Sequence, residues 1–441
     1  MRFFFPDSQD LVDPSFDFAT ERRAPSRVRH RDDQYAHEVF PEPLYDGMLV
    51  SKGIVDGLIG GSGKYSMAQR HRLLRVGARE FFRLNRPDQP VLPVLGDCGA
   101  FTYVRETIPP YSVDEVLQFY TACDFDLGIS VDHVILEFQP RWDKLPIEDV
   151  PASVRERQLL TLELAAQFLA RCKSSGLRLQ PLGVAQGWSA QSYAHAVAEL
   201  ERIGYRYIAV GGLVPLKTTE ILETLAAIDA IRRPDTMLHL LGITRLGALP
   251  HFERYGAVSF DSTSPLRQAF KDAKNNYYSP HGAYTAVRVP QVEGNPDLER
   301  RIRAGSVNQP EARRLERRCL ELLRGYDSGT VHVDAALAAL DEYEGVHSPS
   351  KSFGATNRQT LEARPWKDCP CEVCRRLGID VILFRGAERN RRRGFHNLWV
   401  FYRRLQYSLS ERHSICDPAE ALDMIGGIDA TDPVGSAYEV S

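Results

Sequence analysis

Short apolar runs alternate along this chain with longer stretches in which apolar positions recur every three or four residues. The runs Val91–Leu95, Leu127–Val131, Leu179–Val184, Tyr207–Val210, Met237–Ile243 and Ala257–Phe260 predict strands. Between them, Val113–Cys123, Arg155–Ser174, Ala190–Ile203 and Thr218–Arg232 carry helical periodicity. Apolar strands separated by helices imply parallel pairing through crossover helices. An open doubly wound sheet and a closed barrel both satisfy this alternation. The strand ends favour the barrel, because Asp97, Asp132, Gln186, Gly211-Gly212, Thr244 and Asp261 follow successive strands. In a (β/α)8 barrel those ends converge on one mouth, where such folds place their chemistry. The expected class is therefore an α/β protein, a (β/α)8 TIM barrel.

The flanks break this rhythm. Residues 1–50 are rich in Pro, Asp and Arg with little periodicity and predict an irregular N-terminal arm ahead of a barrel core over 51–290. Residues 291–365 predict a helical and loop insertion, 366–396 a small metal-binding subdomain, and 397–441 a barrel-closing helix with a C-terminal tail. With 441 residues the chain can build a large core, and its net charge of −3 announces no polycation. The opening lacks the sustained apolar stretch and small-residue cleavage site of a signal peptide, and no run suits a membrane span. Cys98, Cys123, Cys172, Cys319 and Cys416 show no disulfide-framework spacing. Together these features predict a soluble cytoplasmic protein without a membrane partner.

Cys369, Cys371 and Cys374 in Cys-Pro-Cys-Glu-Val-Cys, with His396 further on, carry the spacing of a Cys3His zinc site. Four protein ligands leave no open coordination position, so one structural zinc is expected, with the chemistry elsewhere. Arginines surround this loop, among them Arg391, Arg392 and Arg393, and a second cluster spans Arg300 to Arg318. Arginine suits bidentate phosphate contact, so the first cluster predicts nucleic-acid binding. The second, interleaved with Glu299, Glu311 and Glu316, fits phosphate binding or a solvated helix face equally.

Asp97 and Asp261 are the leading catalytic candidates, since paired carboxylates can divide nucleophilic and acid/base roles at an anomeric carbon. Taken singly, either could cap a turn. Asp132, Gln186 and the Gly211-Gly212 backbone match the adjacent donors and carbonyl of a guanine-like ring. His133 is a lesser acid/base candidate, and such a histidine is more often structural. Gly60-Gly61-Ser62-Gly63-Lys64 has Leu58 where a phosphate loop needs its first glycine, and predicts a flexible loop.

Asp97-Cys98-Gly99-Ala100-Phe101, Val131-Asp132, Gln186-Gly187, Val210-Gly211-Gly212-Leu213, Phe260-Asp261 with Arg267, and the Cys-x-Cys-x-x-Cys…His-Asn ending together resemble the tRNA-guanine transglycosylase superfamily over about residues 90–405. The resemblance implies a zinc-bearing barrel that exchanges guanine for a 7-deazaguanine. It implies Asp261 as nucleophile on C1′ and Asp97 as general acid/base. Asp132, Gln186, Gly211, Gly212 and Leu213, with Phe101, become the base-binding set, and Arg267 a nucleic-acid contact. The opening Phe-Pro-Asp-Ser-Gln-Asp-Leu-Val-Asp-Pro and the later Asp-Ala-Lys-Asn-Asn-Tyr-Tyr are similar to the DNA-modifying, DpdA-like branch. That branch implies DNA as the macromolecular substrate, 7-cyano-7-deazaguanine (preQ0) as the incoming base, and accessory DNA-modification proteins; relatives also suggest a homodimer. The competing expectations are a tRNA substrate, a non-catalytic zinc-containing nucleic-acid scaffold, and an unrelated zinc-containing glycosidase, which the four Trp disfavour.

Overall fold

In a computed structural model, residues 1–57, 63–86, 90–271 and 274–410 are described. They form two compact units, one from Met1–Gln9, Tyr45–Thr263 and residues 405–410, the other from Asp10–Leu44 and Ser264–Arg404.

The first unit is a closed barrel of eight strands: β1 Arg2–Pro6, β2 Gly47–Ser51, β3 Val94–Asp97, β4 Leu127–Ile129, β5 Gln180–Ala185, β6 Tyr207–Val210, β7 Met237–Leu240 and β8 Ala257–Asp261. Every neighbouring pair is parallel, and β1 pairs with β8 through Arg2 to Ser259, Phe3 to Phe260 and Phe4 to Asp261. The α/β barrel expectation holds. Phe4, Leu49, Leu95, Leu127, Ile129, Leu182, Val184, Tyr207 and Ala209 form one buried cluster contributed by six of the strands. At about 25 cal/mol per Å² of apolar surface, each large side chain fully buried there contributes roughly 1.5–3 kcal/mol. Between β3 and β4 runs helix Val113–Ala122, whose entry is fixed by reciprocal bonds between Ser112 and Glu115.

Two expectations are corrected here. Residues 1–50 are not an irregular arm throughout, because Phe3-Phe4-Phe5 and Met48-Leu49-Val50 are the cores of β1 and β2. Phe3 and Phe4 are completely buried; an apolar triplet flanked by Pro and Asp is too short to show periodicity, yet fills a strand that hydrogen-bonds on both edges. Closure is achieved by β1 against β8, so the C-terminal helix is not the closing element; it begins at Gly386 and runs to Ser410. Residues 411–441 lie outside the described residues. No helix of the described residues is long and apolar enough to cross a membrane.

The second unit is mostly helical, with Pro296–Arg303, Gln309–Asp327, Val333–His347, Gly354–Ala363 and Gly386–Ser410 as its main helices. An antiparallel hairpin pairs Tyr277–Ser279 with Gly282–Tyr284, and Val287–Arg288 pairs in parallel with Leu383–Phe384. Residues 10–44 are tied into this unit by ion pairs. Glu21 binds Arg385 (2.6 Å) and Arg389 (2.5 Å), and Glu388 takes Arg392 (2.5 Å) and the Asp13 N–H (3.1 Å). The guanidinium groups around Glu21 hold its carboxyl down to about 2 against the opposing effect of burial.

This network corrects the phosphate-binding expectation for Arg392 and Arg393. Arg392 is 7% exposed and spent on Glu388 and the Asp13 carbonyl. Arg393 is fully buried and donates to the carbonyls of Val381, Leu383 and Ala269. A guanidinium buried in this way, with both terminal nitrogens committed inside the protein, cannot approach a phosphate. Arg391 keeps partial exposure, with Asp10 and Glu388 about its guanidinium. Most of the Arg300–Arg318 cluster is also ion-paired, Arg300 to Asp297, Arg303 to Glu299, Arg313 to Glu293, Arg314 to Glu311 and Arg318 to Glu342.

Candidate active site

Parallel strands closed into a barrel bring their C-terminal ends to one mouth. There β3 ends on Asp97 and β8 on Asp261, while Asp132, Gln186 and Gly211 follow β4, β5 and β6. These five residues thus come from five strands of the same unit.

Asp132 is 2% exposed and held from both oxygens, by Gln186 Nε2 on Oδ2 (2.7 Å) and by the Cys98 thiol on Oδ1 (3.2 Å). The Tyr103 hydroxyl lies 3.0 Å from the same sulfur and 3.2 Å from the Asp132 carbonyl oxygen. Burial pushes the Asp132 carboxyl up to about 6, while Cys98 and Gln186 pull against that rise. Gln186 is itself oriented, accepting from the Ile135 N–H at 3.3 Å. The two glycines after β6 are required by this packing. A Cβ on Gly211 would lie 2.3 Å from Gln186 Nε2, and one on Gly212, at φ +72°, would lie 2.6 Å from the Ile135 carbonyl oxygen. Leu213 is fully buried beyond them, and Phe101 sits half-buried on the turn Ala100–Tyr103 that follows Asp97.

The Asp97 carboxyl is pushed up to about 7, first by burial and then by the charges of Asp132 and Asp261, against hydrogen bonds from the Gly99 N–H and Ser51. Burial and the neighbouring carboxylates thus both disfavour the charged form of Asp97. Asp261 is 8% exposed. Its Oδ1 faces two donors, the Gly242 N–H at 3.1 Å and His239 Nε2 at 3.3 Å. His239 is fully buried, and its Nδ1 lies 2.6 Å from Ser259 Oγ, which lies 2.5 Å from the Tyr207 hydroxyl. The sequence reading missed this chain and the Tyr103–Cys98 pair; a histidine inside the apolar strand Met-Leu-His-Leu was the available signal.

His133 does not join the carboxylates as an acid/base group. Its Nε2 lies 2.8 Å from the Glu106 carbonyl, which can only accept, so Nε2 carries the proton; burial lowers its pKa. With Arg157, which donates to the Val104 and Val134 carbonyls, it ties the loops after β3 and β4 together. Residues 58–62 of the glycine-rich loop lie outside the described residues. Arg267 is half-buried on the short helix Ser264–Gln268 of the second unit, without an ion-pair partner among the described residues.

In the second unit, Cys369, Cys371, Cys374 and His396 present ligand atoms all within 4.8 Å of one another. His396 Nδ1 lies 3.5, 3.4 and 3.3 Å from the three sulfurs. Tetrahedral zinc with ordinary Zn–S and Zn–N lengths separates N and S ligands by about 3.5 Å, so the donor set fits one such ion. Its outer shell is also in place. His396 Nε2 donates to the Tyr278 carbonyl (2.8 Å), which leaves the Nδ1 lone pair for a metal, and Tyr277 stacks on the imidazole at 4.0 Å. Asn397 fixes the same backbone, accepting from the Tyr278 N–H (2.8 Å) and donating to the Asn276 carbonyl (3.1 Å). The Asn-Tyr-Tyr run noted in the sequence is thus a support for the metal-binding cluster; residues 272–273 just before it lie outside the described residues.

The protein is thus a closed (β/α)8 barrel that gathers three carboxylates at its mouth, with a Cys3His cluster in the second unit. No family model matches the chain. A curated protein from Salmonella montevideo, named DNA-guanine transglycosylase, is 51% identical over 416 residues, spanning 93% of this chain and 98% of that protein. The chain belongs to the guanine transglycosylase family and is a glycosyltransferase.

Proposed function

We propose that this enzyme exchanges guanine in DNA for a 7-deazaguanine base, 7-cyano-7-deazaguanine in the first instance, through a covalent Asp261–deoxyribose intermediate. The observation that carries the reading is the unequal pair at the mouth: Asp261 with one oxygen held by two donors, and Asp97 with its pKa raised to about 7. DNA as the substrate rests on the name of the 51% identical relative and on the branch-like sequence runs.

In this reading a guanine is unstacked into the barrel mouth, at a cost of a few kcal/mol. Asp132 accepts from the guanine N–H edge, Gln186 and the Gly211–Leu213 backbone meet the carbonyl, and Phe101 flanks the ring. Asp261 bonds to C1′ as the C1′–N9 bond breaks, and the proton on Asp97 neutralises the departing base. The incoming 7-deazaguanine then surrenders its N9 proton to Asp97. N9 attacks C1′ and the electron pair of the broken C1′–O bond returns to Asp261. Two displacements retain the configuration at C1′, and protons balance over the cycle. A 7-deaza base has no N7 to protonate, so the product resists the reverse exchange.

Cys369, Cys371, Cys374 and His396 would hold one zinc ion, which would tie the 369–374 segment to the helix Gly386–Ser410 and take no part in the reaction. Arg267 and the partly exposed Arg391 are the remaining candidates for a phosphate contact. The test is incorporation of radiolabelled 7-cyano-7-deazaguanine and guanine into DNA and tRNA side by side, followed by digestion to nucleosides. Label in deoxynucleosides supports the reading; label confined to tRNA nucleosides replaces it with the tRNA reaction.

A further inference from the structure

The two carboxylate oxygens of Asp261 are not equivalent. Both hydrogen-bond donors directed at it, the Gly242 N–H and His239 Nε2, meet Oδ1, and Oδ2 has no donor among the described residues. Behind His239 the polar atoms continue in a line through the apolar barrel interior, from Nδ1 to Ser259 Oγ and from there to the Tyr207 hydroxyl. All three side chains are at most 2% exposed. An ionised carboxylate only accepts, so the proton facing Asp261 sits on Nε2. Nδ1 then accepts from Ser259, and Ser259 from Tyr207. In this arrangement every member of the buried chain has a hydrogen-bond partner.

Resting on the reading of Asp261 as nucleophile, we propose that Oδ2 is the attacking oxygen and that His239 is a positioning residue, locked as its Nε2–H tautomer by Ser259 and Tyr207. In the first displacement the Oδ2–C1′ bond forms as C1′–N9 breaks, with the electron pair going to the departing base and the Asp97 proton following. In the second, N9 of the incoming base bonds to C1′ and the pair of the C1′–Oδ2 bond returns to the carboxylate. Through both steps Oδ1 keeps its two donors. They prevent rotation of the carboxylate that would exchange the oxygens, and they stabilise the charge that reappears on Asp261 when the sugar leaves. The other neutral tautomer would do neither, because it would set the Nε2 lone pair against a carboxylate lone pair.

The test compares His239→Leu, His239→Gln and Ser259→Ala with the wild type and with Asp261→Ala. The readouts are kcat and KM for the free base, and the fraction of enzyme in a denaturation-stable adduct with DNA. Losing one hydrogen bond to a charged group lowers kcat about 10- to 100-fold. We expect His239→Leu to show that loss with KM for the base within about twofold. His239→Gln, which restores an N–H at the same distance, recovers most of the rate; Ser259→Ala, which frees the tautomer, falls between. If His239→Leu does not fold, Gln and Ala decide the matter. A wild-type rate in His239→Leu or in Ser259→Ala, or a His239→Gln variant that folds yet is as slow as Leu, overturns the assignment. Exchange by Asp261→Ala would instead remove the nucleophile reading itself, whereas an inactive Asp261→Ala beside an unaffected His239→Leu would remove only the role of His239.

Discussion

Replacing Asp97 by Asn removes one titration while keeping the shape of the side chain, and the pH dependence of stability then reports whether burial and its acidic neighbours hold a proton there. A rise from the ordinary 3.8 to about 7 corresponds to about 4 kcal/mol at roughly 1.4 kcal/mol per pH unit. Asp97 retains some solvent access at the mouth, and part of the rise comes from Asp132, which titrates beside it. Half of that figure, about 2 kcal/mol, is what we expect to observe. The sign follows from proton binding. Between pH 4 and 7 the folded protein holds a proton on Asp97 that the unfolded chain has lost, so the contribution is complete below about pH 4 and disappears as pH rises through 7. The wild type should therefore lose stability relative to Asp97→Asn between about pH 4 and pH 8. Urea unfolding of both proteins across that range gives the difference, with the coupled titration of Asp132 included in it. Curves that stay parallel would refute a proton held on Asp97 and remove the physical basis for its acid/base role.

The other expectations are more local. Gly211→Ala pushes a methyl into Gln186 Nε2; the KM for the free base should rise at least tenfold by steady-state incorporation, with kcat little changed. Asp132→Asn turns an acceptor into a donor facing the guanine edge, and isothermal titration should show binding of the free base weakened by about 2 kcal/mol or more. Cys371→Ser should lose the metal measured by mass spectrometry and lower the melting temperature of the second unit, because metal binding is coupled to folding. Arg393→Met leaves the Val381, Leu383 and Ala269 carbonyls without their donor. It should destabilise by roughly 2–4 kcal/mol in urea while the salt dependence of DNA binding stays that of the wild type.

The residues that chemistry needs were easier to read than the ones that hold them. Asp97, Asp132, Gln186 and Asp261 stand immediately at or after apolar runs, and once the strands are parallel the barrel itself gathers them. The Cys3His cluster was legible because its spacing alone limits where four ligands can go. Strands β1 and β2 were missed because each is a few apolar residues among Pro and Asp, with identity supplied by neighbours distant in sequence: Phe4 pairs with Gly47 on one side and Asp261 on the other. The arginines misled for a related reason. Composition counts guanidinium groups without their partners, and Arg389, Arg392 and Arg393 find theirs in Asp380, Glu388 and backbone carbonyls. Cross-strand bonds such as His239 to Asp261 leave no periodic trace, since each partner looks like one polar residue in an apolar strand.

The covalent step is the center of the account, and the direct measurement is to quench the enzyme with a guanine-containing DNA oligonucleotide in denaturant, isolate the adduct, and map its attachment site by peptide mass spectrometry. The account predicts a deoxyribose-linked oligonucleotide on the peptide carrying Asp261, lost in Asp261→Ala and discharged by adding 7-cyano-7-deazaguanine. An adduct on Asp97, or base exchange that proceeds with no adduct at all, would contradict it.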